Sequence, residues 1–228
     1  MTALSPTPSP RLGASLLALV LGTLIWSGIQ PTERYTWALE IVPVVIGAPL
    51  LWLTHRSFPL TRTSILAIAT YSVVLLIGGH YTYAAAPPGE WAQATFDLER
   101  NPYDRFGHIL QGLLPALLAR ELLLRKTGLA VGGWLIFIAT AVGLSVSALY
   151  EILEWPATLI ASRLTGESAE GFLETQGDVF DSPKDMLFAL IGAILGQVLF
   201  ARAQDRQLAA NTQIAHDSSA SPNKKRAA

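Results

Sequence analysis

Hydrophobic residues occur along this 228-residue chain in long blocks, with no amphipathic spacing within them. The blocks are about 17 to 24 residues long, which at 1.5 Å per residue is enough to cross a hydrocarbon core of roughly 30 Å. The pattern therefore predicts an all-α fold, a polytopic transmembrane helical bundle of about six spans. These spans are predicted over residues 12–29, 35–53, 64–81, 106–124, 129–155 and 181–200.

Polar segments flank this predicted domain of residues 12–200. Residues 1–11 are rich in Thr, Ser and Pro and are predicted to be a disordered lead. Residues 201–228 are predicted to be a disordered, basic cytoplasmic tail. The first apolar block resembles a signal peptide in carrying one preceding positive charge, but no small-x-small cleavage site follows it, so we expect it to be retained.

Composition and charge narrow the function classes. The chain is 51% hydrophobic and 14% charged, as expected of a protein whose main partner is the lipid bilayer. It has no cysteine, which excludes disulfides, thiolate metal sites and cysteine nucleophiles. The net charge of −1 predicts no nucleic-acid partner.

The distribution of positive charge predicts the orientation. Eleven of the 16 Lys and Arg residues fall on one side of the predicted spans and five on the other. Because cytoplasmic loops carry the excess of positive charge, both termini are predicted to be cytoplasmic.

With this orientation, polar residues at four helix ends meet at the outer leaflet. Ionisable groups at a membrane boundary cost free energy unless they form ion pairs or serve a function. We therefore predict that these residues form one shared site, which Glu40 could join. The residues are His80, Tyr81 and Tyr83 after span three, Asp104, Arg105 and His108 in span four, Glu151 and Glu154 in span five, and Asp178, Asp181, Lys184 and Asp185 before or in span six.

The first candidate chemistry is proton transfer. Asp104 and His108 are four residues apart and share a helix face, with Gln111 one turn deeper. His108, Asp104 and Glu151 are therefore the best catalytic candidates, since a carboxylate can orient an imidazole that titrates near neutral pH. The alternative is a structural hydrogen bond at a helix start.

The second candidate chemistry is divalent-metal binding, for which the candidate ligands are His108, Glu151, Asp181 and Asp185. No fixed ligand motif such as H-E-x-x-H is present. The alternative is that Asp185 caps a helix opened by Ser182 and Pro183, and that the other carboxylates are solvated or paired with basic residues.

The third candidate chemistry is binding of a lipid or envelope-related ligand. Arg105 and Lys184 could bind an anionic group such as a lipid phosphate, or could simply balance neighbouring carboxylates. The ligand-binding candidates are Arg105, Gln111, His80, Glu154 and Lys184.

Two other features have structural interpretations. Gly192 and Gly196 form a small-xxx-small face suited to close helix packing. Glu121 and Arg125 are spaced as an ordinary i,i+4 ion pair.

The polar motifs together resemble those of a known family. NPYDRFGHILQGLLPALLARELLLR, SALYEILEW and TQGDVFDSPKDMLFALIGAILG, with IGGHYTYA upstream, are similar to the YjdF family of bacterial inner-membrane proteins, over about residues 12–206. The resemblance implies a multi-pass inner-membrane protein and supplies no biochemical activity.

A more distant likeness is to VanZ-like membrane proteins. The matching positions are Asp104 and His108 at a helix start, Glu151 or Glu154 ending a middle helix, and Asp185 with Gly192 and Gly196. The chain departs from that pattern at residues 188–190, Phe-Ala-Leu, where an asparagine often stands.

Three functions follow as expectations. The first is a membrane protein that binds a lipid, an envelope-related ligand or a partner protein at its outer face. The alternative is a membrane-embedded enzyme acting on lipid-linked or envelope substrates, with His108 as acid or base and the carboxylates holding either a metal ion or a proton. A small transporter is less favoured because few polar residues lie deep in the predicted spans.

Overall fold

A computed structural model describes residues 7–165 and 176–220, and this part of the chain is helical without strands. The predicted all-α class is confirmed. A single 3₁₀ turn, Tyr83–Ala85, follows the fourth helix. The α-helices are α1 Pro10–Ser27, α2 Arg34–Glu40, α3 Val42–Thr54, α4 Arg62–Tyr81, α5 Pro87–Phe96, α6 Tyr103–Lys126, α7 Gly133–Thr165 and α8 Asp181–Ala220.

Five of the six predicted spans are long and apolar enough to cross a membrane. The second of them is a broken helix, because α2 ends before Ile41 and α3 begins with Pro43 in its first turn. A proline there lacks the N–H that would continue the preceding helix, which accounts for the predicted kink. These spans are α1, α2 with α3, α4, most of α7 and most of α8.

Helix α6 is the sixth predicted span and is not among those five. It has 24 residues, enough for about 36 Å, but charged side chains lie near both of its ends. It packs against α4, α7 and α8 and so occupies the centre of the bundle. That α6 crosses the membrane, and that both termini are cytoplasmic, stay predictions. We name the end where α6 begins the outer end and the opposite end the inner end.

Small residues bring α6 and α8 into backbone contact. A Cβ atom at Gly192 would lie 1.9 Å from the carbonyl oxygen of Ile109, and one at Gly112 would lie 1.8 Å from that of Ala189. No larger side chain fits at such separations, so the axes of the two helices approach closely only because these positions are glycine. The predicted packing face of Gly192 and Gly196 thus lies against α6.

A buried polar network joins α4, α6 and α8 at the inner end. The Glu121 side chain has no solvent exposure and accepts hydrogen bonds from the backbone and hydroxyl of Thr61, at 3.0 and 2.8 Å, and from the Ser64 hydroxyl at 2.6 Å. Arg125 donates to the same carboxylate at 3.0 Å. Gln204 of α8 donates to the Ser64 hydroxyl at 3.1 Å. The predicted i,i+4 pair is therefore one part of a larger buried network.

The structure differs from the sequence prediction in its polar segments. Helix α8 continues to Ala220, so the tail predicted to be disordered from residue 201 is helical this far. Part of the reason is that Gln207 makes two hydrogen bonds with Thr63, at 3.0 and 3.1 Å. Helix α7 extends to Thr165, into the predicted loop, and α5 lies in another predicted loop. Predictions for residues 1–6, 166–175 and 221–228 lie outside the described residues.

Candidate metal centre and outer ion cluster

Three buried side chains from α6 and α8 meet at the outer end. Asp104 and His108 lie one turn apart on α6, and Asp185 lies in the second turn of α8. One potential ligand atom from each of them lies within 4.8 Å of the other two. The three residues could hold a cation, since each offers an oxygen or nitrogen lone pair, and we call them the metal centre as a candidate site only.

His108 is oriented by its neighbours. Its Nδ1 lies 2.9 Å from the Gln111 side-chain oxygen, which can only accept, so Nδ1 carries the proton. Its Nε2 then faces two carboxylates, with Asp104 Oδ1 at 3.4 Å and Glu151 Oε1 at 3.6 Å. An imidazole lone pair pointing at two carboxylates is unfavourable unless a proton or a metal ion lies among them.

Two carboxylate oxygens, one in the metal centre and one beside it, have no hydrogen-bond partner. Asp185 is only 2% exposed, and its Oδ1 is buried without a partner. The Oε1 atom of Glu151 is also buried without a hydrogen-bond partner. Burying an unsatisfied acceptor costs about 1–3 kcal/mol, and more when the group is charged. The predicted capping role of Asp185 does not account for its unpartnered oxygen.

A second group of charges, the outer ion cluster, lies beside the metal centre. Its members are Arg100, Arg105, Asp178, Asp181 and Lys184. The Asp178 Oδ2 atom lies 2.5 Å from Lys184 Nζ, 3.4 Å from Arg105 and 3.8 Å from Arg100.

Two residues of this cluster are tied to their surroundings. Arg100 also pairs with Asp181, and it lies 3.6 Å from Asp104 of the metal centre, so that the two groups adjoin. The hydrogen bond from Lys184 and that from the Phe180 backbone N–H lower the pKa of Asp178, with Arg100 adding to the effect.

A small polar cavity adjoins the metal centre. Its volume available to the centres of water molecules is about 20 Å³. Glu40 lies at its wall and accepts hydrogen bonds from the hydroxyls of Tyr83, at 2.9 Å, and Tyr150, at 3.3 Å. The lining also includes Asp104, His108, Gln111 and Glu154.

The structure brings most of the predicted site residues to the outer end. Asp104, His108, Gln111, Glu151 and Asp185 converge on the metal centre. Glu154 lines the cavity, while Arg105, Lys184 and Asp181 belong to the ion cluster.

His80 is the exception among these candidates. Its Nδ1 lies 3.0 Å from the Ser27 carbonyl oxygen, and its ring centroid lies 4.4 Å from that of Trp26. It therefore packs α4 against α1, and the prediction that it joins the ligand-binding group is not supported by its placement.

Two residues at the outer end were missing from the sequence prediction. Arg100 precedes α6, so the i,i+4 rule for helix neighbours does not predict its contact with Asp104. Tyr150 lies beside Glu151 in α7, and no pattern in the sequence pairs it with Glu40.

Comparison with known proteins identifies the family. The family model described as "Predicted membrane protein (DUF2238)" matches residues 12–206. Inner membrane protein YjdF of Escherichia coli (strain K12) is 43% identical over 199 residues, which are 86% of this chain and 92% of that protein. No solved structure matches the chain. The likeness to VanZ-like proteins stays an expectation from the sequence.

With its five apolar helices, the chain is an integral, multi-pass protein of the bacterial inner membrane. It belongs to the DUF2238 family of membrane proteins.

Proposed function

We propose that this membrane protein binds a divalent cation at its outer end, through Asp104, His108 and Asp185 with Glu151 as a fourth ligand. The bound cation would serve to recruit an anionic lipid or envelope-related ligand. The observation that carries the proposal is the Oδ1 atom of Asp185, which is buried without a hydrogen-bond partner in a group whose ligand atoms lie within 4.8 Å of one another.

The donor set favours a transition-metal ion. Carboxylate oxygens suit Mg²⁺, Ca²⁺ and Mn²⁺, whereas an imidazole nitrogen suits Zn²⁺ and other first-row metals. Three carboxylates with one histidine therefore fit Mn²⁺ or Zn²⁺ best. Gln111 holds the proton of His108 on Nδ1 and so leaves Nε2 as the ligand atom.

Charge balance supports a divalent ion. The metal centre, Glu151 and the outer ion cluster contain five carboxylates and three basic side chains, which leaves two negative charges in excess when His108 is neutral. Uncompensated buried charge is costly at a membrane boundary. One divalent cation would balance this excess.

The size of the cavity indicates where a larger ligand would bind. About 20 Å³ accommodates an ion or a water molecule but no organic molecule. The side chains of Arg105 and Lys184 are 26% and 43% exposed, so an anionic ligand can reach the cation site from that side. The predicted ligand site and the cation site would thus be neighbours.

Cation binding can be tested on purified protein treated with EDTA. Wild type should take up Mn²⁺ or Zn²⁺ by elemental analysis, and at about 100 times its Kd the ion should stabilise the fold by about 2.7 kcal/mol. Asp185→Asn should lose this response without being less stable in EDTA, because it removes an unpaired buried charge.

Asp97→Asn is the matched control, since Asp97 is exposed on the same predicted side, outside both charge groups. It should respond to metal as wild type does. Equal metal responses in Asp185→Asn and wild type, or no response in wild type, would rule out the proposal.

The alternative function is metal-dependent chemistry on lipid-linked or envelope substrates. The observation in its favour is that His108 Nε2 faces both Asp104 and Glu151, an arrangement that can move a proton. In this alternative the carboxylates alone hold the ion and His108 acts as the base. Metal-dependent turnover of a phosphate ester that disappears in His108→Gln, with metal uptake retained, would establish it in place of the ligand role of His108.

A further inference from the structure

Three basic side chains converge on a single oxygen atom. Asp178 Oδ2 lies within 3.8 Å of nitrogen atoms of Arg100, Arg105 and Lys184. The other oxygen, Oδ1, accepts only the Phe180 backbone N–H among the described residues, at 3.1 Å. Oδ2 accepts hydrogen bonds from Lys184 and Arg105, whereas Arg100 donates to Asp181 and adds its charge from 3.8 Å. Three positive charges therefore surround one singly charged carboxylate.

We infer that Arg100, Arg105 and Lys184 form a phosphate-binding site, whose place Asp178 occupies when no ligand is bound. A phosphate monoester carries up to two negative charges and three free oxygens, which matches three basic donors better than one carboxylate does. The inference rests on the proposed recruitment of an anionic ligand and names the chemistry of that ligand.

The basic residues would stay in place if Asp178 moved away. Arg100 is 10% exposed and is also paired with Asp181 and Asp104. The Arg105 guanidinium carbon lies 5.5 Å from the centre of the Phe188 ring, in a cation–π contact. Because these two arginines have other partners, a phosphate would find a site that is already formed.

Asp178 itself is placed so that it can be exchanged. It lies before α8, outside any helix. Its side chain accepts one backbone hydrogen bond, from the Phe180 N–H, and its carbonyl oxygen accepts another from the Asp181 N–H at 3.3 Å. Lys184 is 43% exposed, so this side of the site is open to a ligand from solvent or from the lipid headgroup region.

Asp104 of the metal centre also contacts the phosphate site. Asp104 Oδ2 lies 3.6 Å from Arg100, and Asp104 Oδ1 lies 3.4 Å from His108 Nε2. A phosphate held by the basic side chains would therefore lie beside a cation at the metal centre. Cations and basic side chains commonly share the charge of one phosphate in this way.

The test uses full-length protein in phosphatidylcholine nanodiscs without divalent cations. Inorganic phosphate should raise the Tm of Asp178→Asn at a concentration about tenfold lower than it does for wild type, because the internal competitor is gone. Asp97→Asn should behave as wild type. Adding Lys184→Gln to Asp178→Asn should abolish the gain.

A second set of nanodiscs containing phosphatidic acid separates the two sources of phosphate. Stabilisation by inorganic phosphate supports a free phosphate ligand, and stabilisation only by phosphatidic acid supports a lipid headgroup. If Asp178→Asn does not fold, Lys184→Gln in the otherwise wild-type chain must weaken the phosphate response.

The inference is overturned if Asp178→Asn binds neither form more tightly than wild type, or if the double variant binds as the single one does. Metal uptake, measured on separate aliquots of the same preparations after Mn²⁺ or Zn²⁺ is added, keeps the two proposals apart. Uptake without a phosphate effect leaves the cation proposal standing, and a phosphate effect without uptake contradicts the cation proposal alone.

Discussion

Asp178 is the half-buried end of a chain of charges that reaches the metal centre. Lys184 and the Phe180 N–H stabilise its ionised form and hold the pKa of Asp178 below the usual value of 3.8. A carboxyl group with a lowered folded pKa stabilises the fold fully only above its unfolded pKa. That contribution is lost as the pH falls from about 5 through the folded pKa.

We therefore predict that Asp178→Asn flattens part of the acid side of the stability profile. The measurement is Tm against pH from about 6 to 3 in detergent, in the absence of phosphate. The wild-type Tm should fall more steeply than that of the variant below about pH 5. Parallel profiles would show that the Asp178 contacts contribute nothing to the ionisation equilibrium of the folded protein.

At the scale of single residues, the sequence indicated most members of the site but not their partners. Glu151 and Asp185 were identified because polar residues at apolar helix ends are costly. His80 satisfied the same criterion and yet packs against Trp26. The rotation of α4 about its own axis decides which neighbours His80 contacts. A helix without a distinct apolar face does not reveal that rotation in its sequence.

At the scale of elements, the contact between α6 and α8 positions the metal centre. Asp104 and His108 lie on α6, whereas Asp185 lies on α8, so the distances among these three candidate ligands depend on the separation of the helices. Gly192 sets that separation, since its Cβ would meet the Ile109 carbonyl at 1.9 Å.

We predict that Gly192→Ala pushes α8 away from α6 and destabilises the protein by about 1–3 kcal/mol. The variant should also respond less to Mn²⁺ or Zn²⁺, because Asp185 moves relative to His108. Unfolding in mixed SDS micelles, with and without metal, measures both effects.

Gly22→Ala is the control, because no atom lies within 4 Å of where its Cβ would be. It should match wild type in both measurements. If Gly192→Ala also matches wild type, the close contact does not position the ligands.

The spans could be predicted from the sequence because lipid-facing helices are apolar over their whole length. The helical structure of the polar segments could not be predicted in this way. The polar part of α8 is held against α4 by the hydrogen bond from Gln207 to Thr63. Glu121 is buried because it accepts hydrogen bonds from residues about 60 positions away in the chain. Such contacts between distant residues leave no local pattern.

At the scale of the whole molecule, the predicted orientation can be tested because the chain has no cysteine. Ala94→Cys introduces a thiol at an exposed position on α5, on the predicted outer side, and Ser57→Cys one in the predicted cytoplasmic loop after α3. A membrane-impermeant maleimide added to intact spheroplasts should label Ala94→Cys and not Ser57→Cys.

Both variants should be labelled after the membranes are permeabilised, which shows that each thiol is reactive. The reverse pattern in intact spheroplasts would place the metal centre at the cytoplasmic face. It would also exclude an envelope ligand.

The central position of α6 has a consequence for how the protein is made. Its charges exclude it from the group of helices apolar enough to cross a membrane by themselves, and most of its polar partners lie on α4, α7 and α8. During synthesis α6 emerges well before Asp185 and Gln204, which follow on the last helix. We expect α6 to be retained beside the insertion machinery, or by α4, until α8 has been translated, so that the helical bundle is completed only near the end of translation.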